Sequence, residues 1–96
     1  MKKINLAITG CMGRMGQQII KSIKISKSFK LVSVTENKNI KRKVSNLRPQ
    51  LNSINAFKNA NVIIDFTIPK STLEVLKIAS KLKKKVIIGT TGFSKK

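Results

Sequence analysis

Apolar positions recur along the chain in two rhythms. A short apolar run at residues 4–8 is followed by Met15, Ile19, Ile20 and Ile23, spaced three and four residues apart. The first pattern predicts a strand over about 4–9. The second predicts an amphipathic helix over about 13–26, with Lys21, Lys24 and Lys27 on its wet side. A second strand is predicted over 30–35. Residues 36–50 are polar and basic, and Pro49 rules out a helix across them, so this is the least ordered stretch expected. Residues 51–53 suit a short edge strand, and 54–59 one or two helical turns. Residues 61–67 predict a further strand, whose Val62-Ile63-Ile64 centre is apolar on both faces, as a buried parallel strand requires. Ser71 with Glu74 predicts a capping box. The helix it opens would bury Val75, Leu76, Ile78, Ala79 and Leu82 and end in lysines that suit the helix dipole. A last strand at 86–88 runs into Gly89-Thr90-Thr91-Gly92-Phe93.

Strands that alternate with helices imply right-handed crossovers and a parallel sheet covered on both faces. The expected fold is therefore α/β, a doubly wound, Rossmann-like sheet truncated after about five strands. In that order the strand at 61–67 returns to lie on the far side of the first strand. Ligands bind at that switch point, beyond the carboxyl ends of the strands. Three segments meet there: the turn from Gly10 through Gly13 to Gly16, the loop at 65–69, and the loop at 89–92.

The glycine turn follows a strand and precedes a helix, which is how a phosphate-binding corner is built. Glycine lets the chain turn sharply and brings a diphosphate close to bare backbone N–H groups, and the helix N-terminus adds orphan donors and partial positive charge. The spacing here is G-x-x-G-x-x-G rather than G-x-G-x-x-G, with Met12 in place of a glycine. A glycine turn without a ligand is the plain alternative. Glu36, 20 residues after Gly16, stands where a dinucleotide site places a carboxylate for the adenosine ribose.

Composition narrows the field. At 96 residues the chain is at most one domain, and 41% hydrophobic content suits a globular core. Apolar runs of four or five residues are far too short to span a membrane, and the opening Met1-Lys2-Lys3 lacks the apolar stretch of a signal peptide. With a single cysteine, Cys11, and no histidine, neither a disulfide framework nor a metal cluster is expected, and a cytoplasmic setting follows. The net charge of +18 suggests a polyanion partner. Yet of 21 basic residues only Arg14, Arg42 and Arg48 are arginines, the lysines are smeared along the chain, and the four phenylalanines are too scattered for a stacking platform. A lysine-rich compositional habit accounts for the charge without a specific nucleic-acid partner.

Taken together, Gly10-Cys11-Met12-Gly13-Arg14-Met15-Gly16, Glu36, Asp65-Phe66-Thr67-Ile68-Pro69 with Ser71-Thr72-Leu73, and Gly89-Thr90-Thr91-Gly92-Phe93 resemble dihydrodipicolinate reductase, the 4-hydroxy-tetrahydrodipicolinate reductase family of lysine and diaminopimelate synthesis. The resemblance covers essentially the whole chain. It implies hydride transfer from NADPH or NADH to a cyclic unsaturated dicarboxylate. It implies that Gly10, Cys11, Met12, Gly13, Arg14 and Met15 wrap the cofactor diphosphate, that Glu36 holds the ribose, and that Gly89, Thr90 and Thr91 approach the nicotinamide. Thr67 and Pro69 would shape the loop beneath it. Asn37 stands where the family often carries an arginine for a 2′-phosphate, a role Lys38 could take. The family continues into a second domain that supplies the histidine-rich substrate motif, a catalytic lysine and the oligomer contacts. Residues 1–96 are thus expected to be the N-terminal dinucleotide-binding domain, with no catalytic residue of its own and no turnover alone.

Several residues carry two readings. Cys11, near a helix N-terminus, is either a reactive thiol or a small residue filling a tight turn, and the turn filler is favoured. Arg14 either reaches a phosphate or the nicotinamide side, or is a solvated first-turn arginine. Asp65 is read as structural, accepting loop N–H bonds, Met12 and Met15 as packing residues, and Glu74 as a cap. Other functional readings are an extended short-chain dehydrogenase, which would need a Tyr this chain lacks, a basic nucleic-acid module, and a redox-sensing cofactor module.

Overall fold

A computed structural model describes residues 3–36, 40–66 and 69–89. Strand β1 (Ile4–Thr9) leads into helix α1 (Arg14–Lys24), and β2 (Phe29–Thr35) follows. A short helix α2 (Ile54–Phe57) precedes β3 (Val62–Asp65), α3 (Pro69–Leu82) and β4 (Lys85–Ile88). All strands pair in parallel in the order β2-β1-β3-β4. After β2 the chain therefore crosses to the other side of β1, and the switch point between β1 and β3 lies where the sequence pattern placed it. β1 shifts register against β2 between Leu6 and Ala7.

The period of two along β1 sorts the core into two layers. Ala7 and Ile63 face Ala56, Phe57, Ala60, Val75 and Ala79, so α2 and α3 cover that side. Leu6, Ile8 and Val34 face Ile20 and Ile23 of α1, with Cys11 completing the layer. Toward β4 the α1 side opens into an apolar groove of about 570 Å³ along Leu6, Ile23, Ile64 and Ile87, and Ile87 is 57% exposed.

Four expectations are corrected. The sheet has four strands among the described residues, not about five, because residues 51–53 form no edge strand. The chain there makes one parallel bridge, between Thr35 and Gln50, and then caps α2 with Ser53, whose hydroxyl accepts the Ala56 N–H at 3.1 Å. Ser71 does not cap α3, which starts two residues earlier with Pro69 in its first turn, where a missing N–H costs nothing. Ser71 and Glu74 therefore lie inside the helix, and Glu74 accepts a 3.4 Å bond from the Asn52 side-chain amide instead. Leu76 is exposed, while Thr72 is fully buried in the layer beneath. Residues 40–50 are held by an antiparallel bridge between Val44 and Leu47, with Ser45 and Asn46 at positive φ in the turn between them.

Candidate functional site

The carboxyl ends of β1 and β3 meet at the switch point, and the turn after β1 is built around its glycines. Gly10 has φ 67°, a conformation that disfavours any side chain. Its carbonyl accepts the Gly13 N–H at 3.0 Å, closing the turn. Gly13 is the N-cap of α1, in extended conformation, and no side chain caps the helix. Gly16 lies in the first turn of α1 against the returning loop. A Cβ there would overlap the Gly10 carbonyl oxygen and stand 3.1 Å from the Cys11 Cα, so the residue lets helix and turn approach closely. At Gly13 the nearest atom to a Cβ is the same oxygen at 3.4 Å, an ordinary contact. Three glycines thus do three different jobs.

The loop amides are not all bare. Cys11 N–H donates to the Thr35 carbonyl at 3.2 Å, and Met12 N–H donates to Oε2 of Glu36 at 2.7 Å. With Gly13 also bonded internally, the donors left to the uncapped first turn are the N–H groups of Arg14, Met15 and Gly16. Glu36 thereby stands at the turn rather than merely near it. Gln17 adds a clamp by donating its side-chain amide to the Met12 carbonyl at 2.9 Å.

The structure places the residues that carried two readings. Cys11 is wholly buried in the α1 layer. Burial, with the Glu36 charge adding to it, pushes its thiol up from 9.0 to about 11, so it fills space and is not a nucleophile. Met12 packs against the same layer, but Met15 is 53% exposed and is not a packing residue. Arg14 is exposed at the helix start. Asp65 is fully buried beside the switch point and accepts hydrogen bonds from the hydroxyls of Thr9 and Thr72. It ties the ends of β1 and β3 to α3, a structural role, but through two hydroxyls rather than the loop N–H groups expected of it. Gly89 N–H donates to the Asp65 carbonyl at 2.7 Å, which brings the end of β4 to the same edge. Thr90 and Thr91 lie outside the described residues, as do Asn37, Lys38 and Thr67.

A strap not anticipated from the sequence supports the corner. Glu36 N–H donates to the Gln50 carbonyl at 2.9 Å, and Gln50 N–H to the Val34 carbonyl at 3.0 Å. The Thr35 hydroxyl donates to Asn52 at 2.6 Å. Nothing local marks Gln50 and Asn52 as partners of β2. Among the described residues no group of three or more His, Cys, Asp or Glu could hold a metal ion, and no helix is long and apolar enough to cross a membrane.

The parallel sheet, its switch point and the glycine corner define a Rossmann-like α/β domain. Residues 4–96 match the family described as dihydrodipicolinate reductase, N-terminus, and the chain belongs to that family. It is 62% identical over 96 residues to the 4-hydroxy-tetrahydrodipicolinate reductase of Pelagibacter ubique, covering 100% of this chain and 37% of that protein. The enzyme of the same name from Buchnera aphidicola subsp. Acyrthosiphon pisum is 42% identical over 105 residues, covering 98% of this chain and 39% of the relative. Among solved structures, dipicolinate-bound dihydrodipicolinate reductase from Paenisporosarcina sp. TG-14 superposes with a TM-score of 0.77 at 25% identity, over 97% of this chain and 39% of that one. The chain spans less than two fifths of the length of each.

Proposed function

We propose that this chain is the nicotinamide-dinucleotide-binding portion of a 4-hydroxy-tetrahydrodipicolinate reductase. The observation that carries the reading is the uncapped start of α1 behind the Gly10–Gly13 turn, with the Glu36 carboxylate bonded to that turn. An anion placed at this corner meets first-turn N–H groups and the positive end of the helix dipole, with no Cβ of Gly13 in the way. Gly10, Cys11, Met12, Gly13, Arg14 and Met15 would surround the diphosphate, and Arg14 is free to swing onto it from the exposed helix start. Glu36 would accept hydrogen bonds from the adenosine ribose. Gly89, Thr90 and Thr91 follow β4 and would meet the nicotinamide side.

When bound, NADH or NADPH supplies the hydride, and the residues of this chain hold and orient it. The acceptor would be the cyclic dicarboxylate of the family reaction, in the cytoplasm, where a lone buried thiol is at ease. No histidine occurs in the 96 residues, so the proton donor and the grip on two carboxylates would come from the further length the relatives carry. Oligomer contacts would come from there too. Titration of the polypeptide with NADH, followed by nucleotide fluorescence, tests the binding role. Saturable binding supports it, and absence of any binding removes it.

A further inference from the structure

We propose that the sheet edge opposite the glycine corner is a docking surface for an anionic lipid bilayer, with Ile25 as its apolar tip and lysines around it. The proposal stands apart from the dinucleotide reading. All strands run in parallel, so their starts share one edge, and lysines scattered along the chain are gathered there. Lys3 precedes β1, Lys24 ends α1, Lys27 and Lys30 bracket the start of β2, Lys58 follows α2, and Lys83, Lys84 and Lys85 lead into β4. The chain's three acids lie toward the other edge. Glu36 follows β2, Asp65 closes β3 and is buried, and Glu74 is bonded to Asn52, itself held by Thr35 at the end of β2. Lysines in a last helical turn answer the helix dipole, which accounts for Lys24 but not for Lys3, Lys27, Lys30 or Lys58.

Ile25 stands out of this edge, 86% exposed at the C-cap of α1. The turn that carries it is tied down. Ser26 N–H donates to the Ile23 carbonyl at 3.0 Å, Ser28 N–H to the Ser26 hydroxyl at 3.0 Å, and Ile4 N–H to the Ser28 carbonyl at 2.9 Å. Ile4 and Phe29, paired in register at the starts of β1 and β2, are also exposed. Lys3, Lys24 and Lys30 line a hollow of about 190 Å³ with Ser26 and Phe29. A nucleic acid would use the lysines and leave Ile25 in water. A second copy of the chain would bring another +18 against this one. An anionic bilayer uses both features, since lysines meet its headgroups while the isoleucine enters the interface. Each lysine near such a surface is worth about fivefold in partitioning. The contact lies on the surface and crosses nothing, and it leaves the glycine corner facing away from the lipid.

The 96-residue protein is sedimented at about 0.1 M salt with vesicles of phosphatidylglycerol and phosphatidylcholine, and with phosphatidylcholine alone. Binding should saturate on the mixed vesicles and be absent on the neutral ones. Ile25→Ser keeps the net charge and should weaken binding about fivefold. Lys24→Gln with Lys27→Gln should weaken it about 25-fold. Lys70→Gln with Lys77→Gln removes the same charge from α3 and should cost no more than about threefold. All five side chains are exposed, so the variants should fold, which circular dichroism checks. Equal losses from the two lysine pairs, native binding by Ile25→Ser, or equal binding to neutral vesicles overturns the proposal. So does tighter binding to a single-stranded RNA that Ile25→Ser leaves unchanged, which would make the edge a nucleic-acid surface. If Ile25→Ser does not fold, the lysine pairs and the neutral vesicles decide.

Discussion

Gly16 presses its Cα against the carbonyl of Gly10, leaving no room for a side chain between α1 and the turn that precedes it. The neighbours that a Cβ would meet are all backbone, so no rotamer change relieves the overlap. Gly16→Ala should therefore destabilise the fold by about 1–3 kcal/mol, the usual cost of overpacking. Gly13→Ala meets only an ordinary contact and should leave the urea midpoint nearly unchanged while weakening dinucleotide binding. Equal stability losses in the two variants would mean that the glycines are not divided in this way.

The buried triad of Thr9, Asp65 and Thr72 is a polar staple under the switch point. Asp65→Ala would remove the acceptor shared by two buried hydroxyls, at up to about 1–3 kcal/mol each. Thr72→Val keeps the shape and leaves Thr9 on the carboxylate, so it should cost clearly less. Denaturant unfolding followed by circular dichroism ranks the two, and a Thr72→Val loss as large as that of Asp65→Ala would contradict the arrangement.

Cys11 supplies a pH dependence. Its folded-state value, about 11, lies above the ordinary 9.0, so folding favours the neutral thiol. The stability this confers is complete below pH 9.0 and is lost as pH rises through about 11. At pH 8 the thiolate fraction should be about a hundredfold below that of an ordinary cysteine, with burial slowing attack further. Alkylation should be slow in the folded chain and fast in urea. Rapid labelling of the folded chain would show that Cys11 is not packed as described.

How much of this was legible beforehand depends on the range of the interaction. β1, α1 and β2 follow from local periodicity and came out within two residues. So did the position of the switch point, which follows from crossover handedness. Ser71 misled because a capping box and a proline two residues ahead of it compete for the same helix start, and proline, with its preset φ, took it. The edge strand at 51–53 failed because Gln50 was enough to pair with β2. The Glu36–Met12 bond and the Gln50–Asn52 strap join residues far apart in sequence through the end of β2, and no local pattern encodes them. Glu36 itself was visible by spacing, but its hold on the turn was not.

The net charge of +18 should make the compact state repel itself, since only Glu36, Asp65 and Glu74 oppose the lysines and arginines. Raising ionic strength from about 0.01 M to about 0.15 M shortens the screening length from about 30 Å to about 8 Å. Tm should rise over that interval. A Tm that is flat or falls with salt would show that the charge is already balanced locally.

The 96-residue polypeptide should bind the reduced dinucleotide yet not oxidise it in the presence of the family's dicarboxylate substrate. Loss of absorbance at the reduced-nicotinamide band, above the rate without protein, would contradict this.

The central claim is that the corner between β1 and α1 grips the diphosphate. Amide-resolved nuclear magnetic resonance during NADH titration tests it most directly. Resonances of Gly10 to Met15 should move together and saturate, with exchange slowed at Arg14 and Met15. Saturating nucleotide that leaves those amides unmoved would contradict the account.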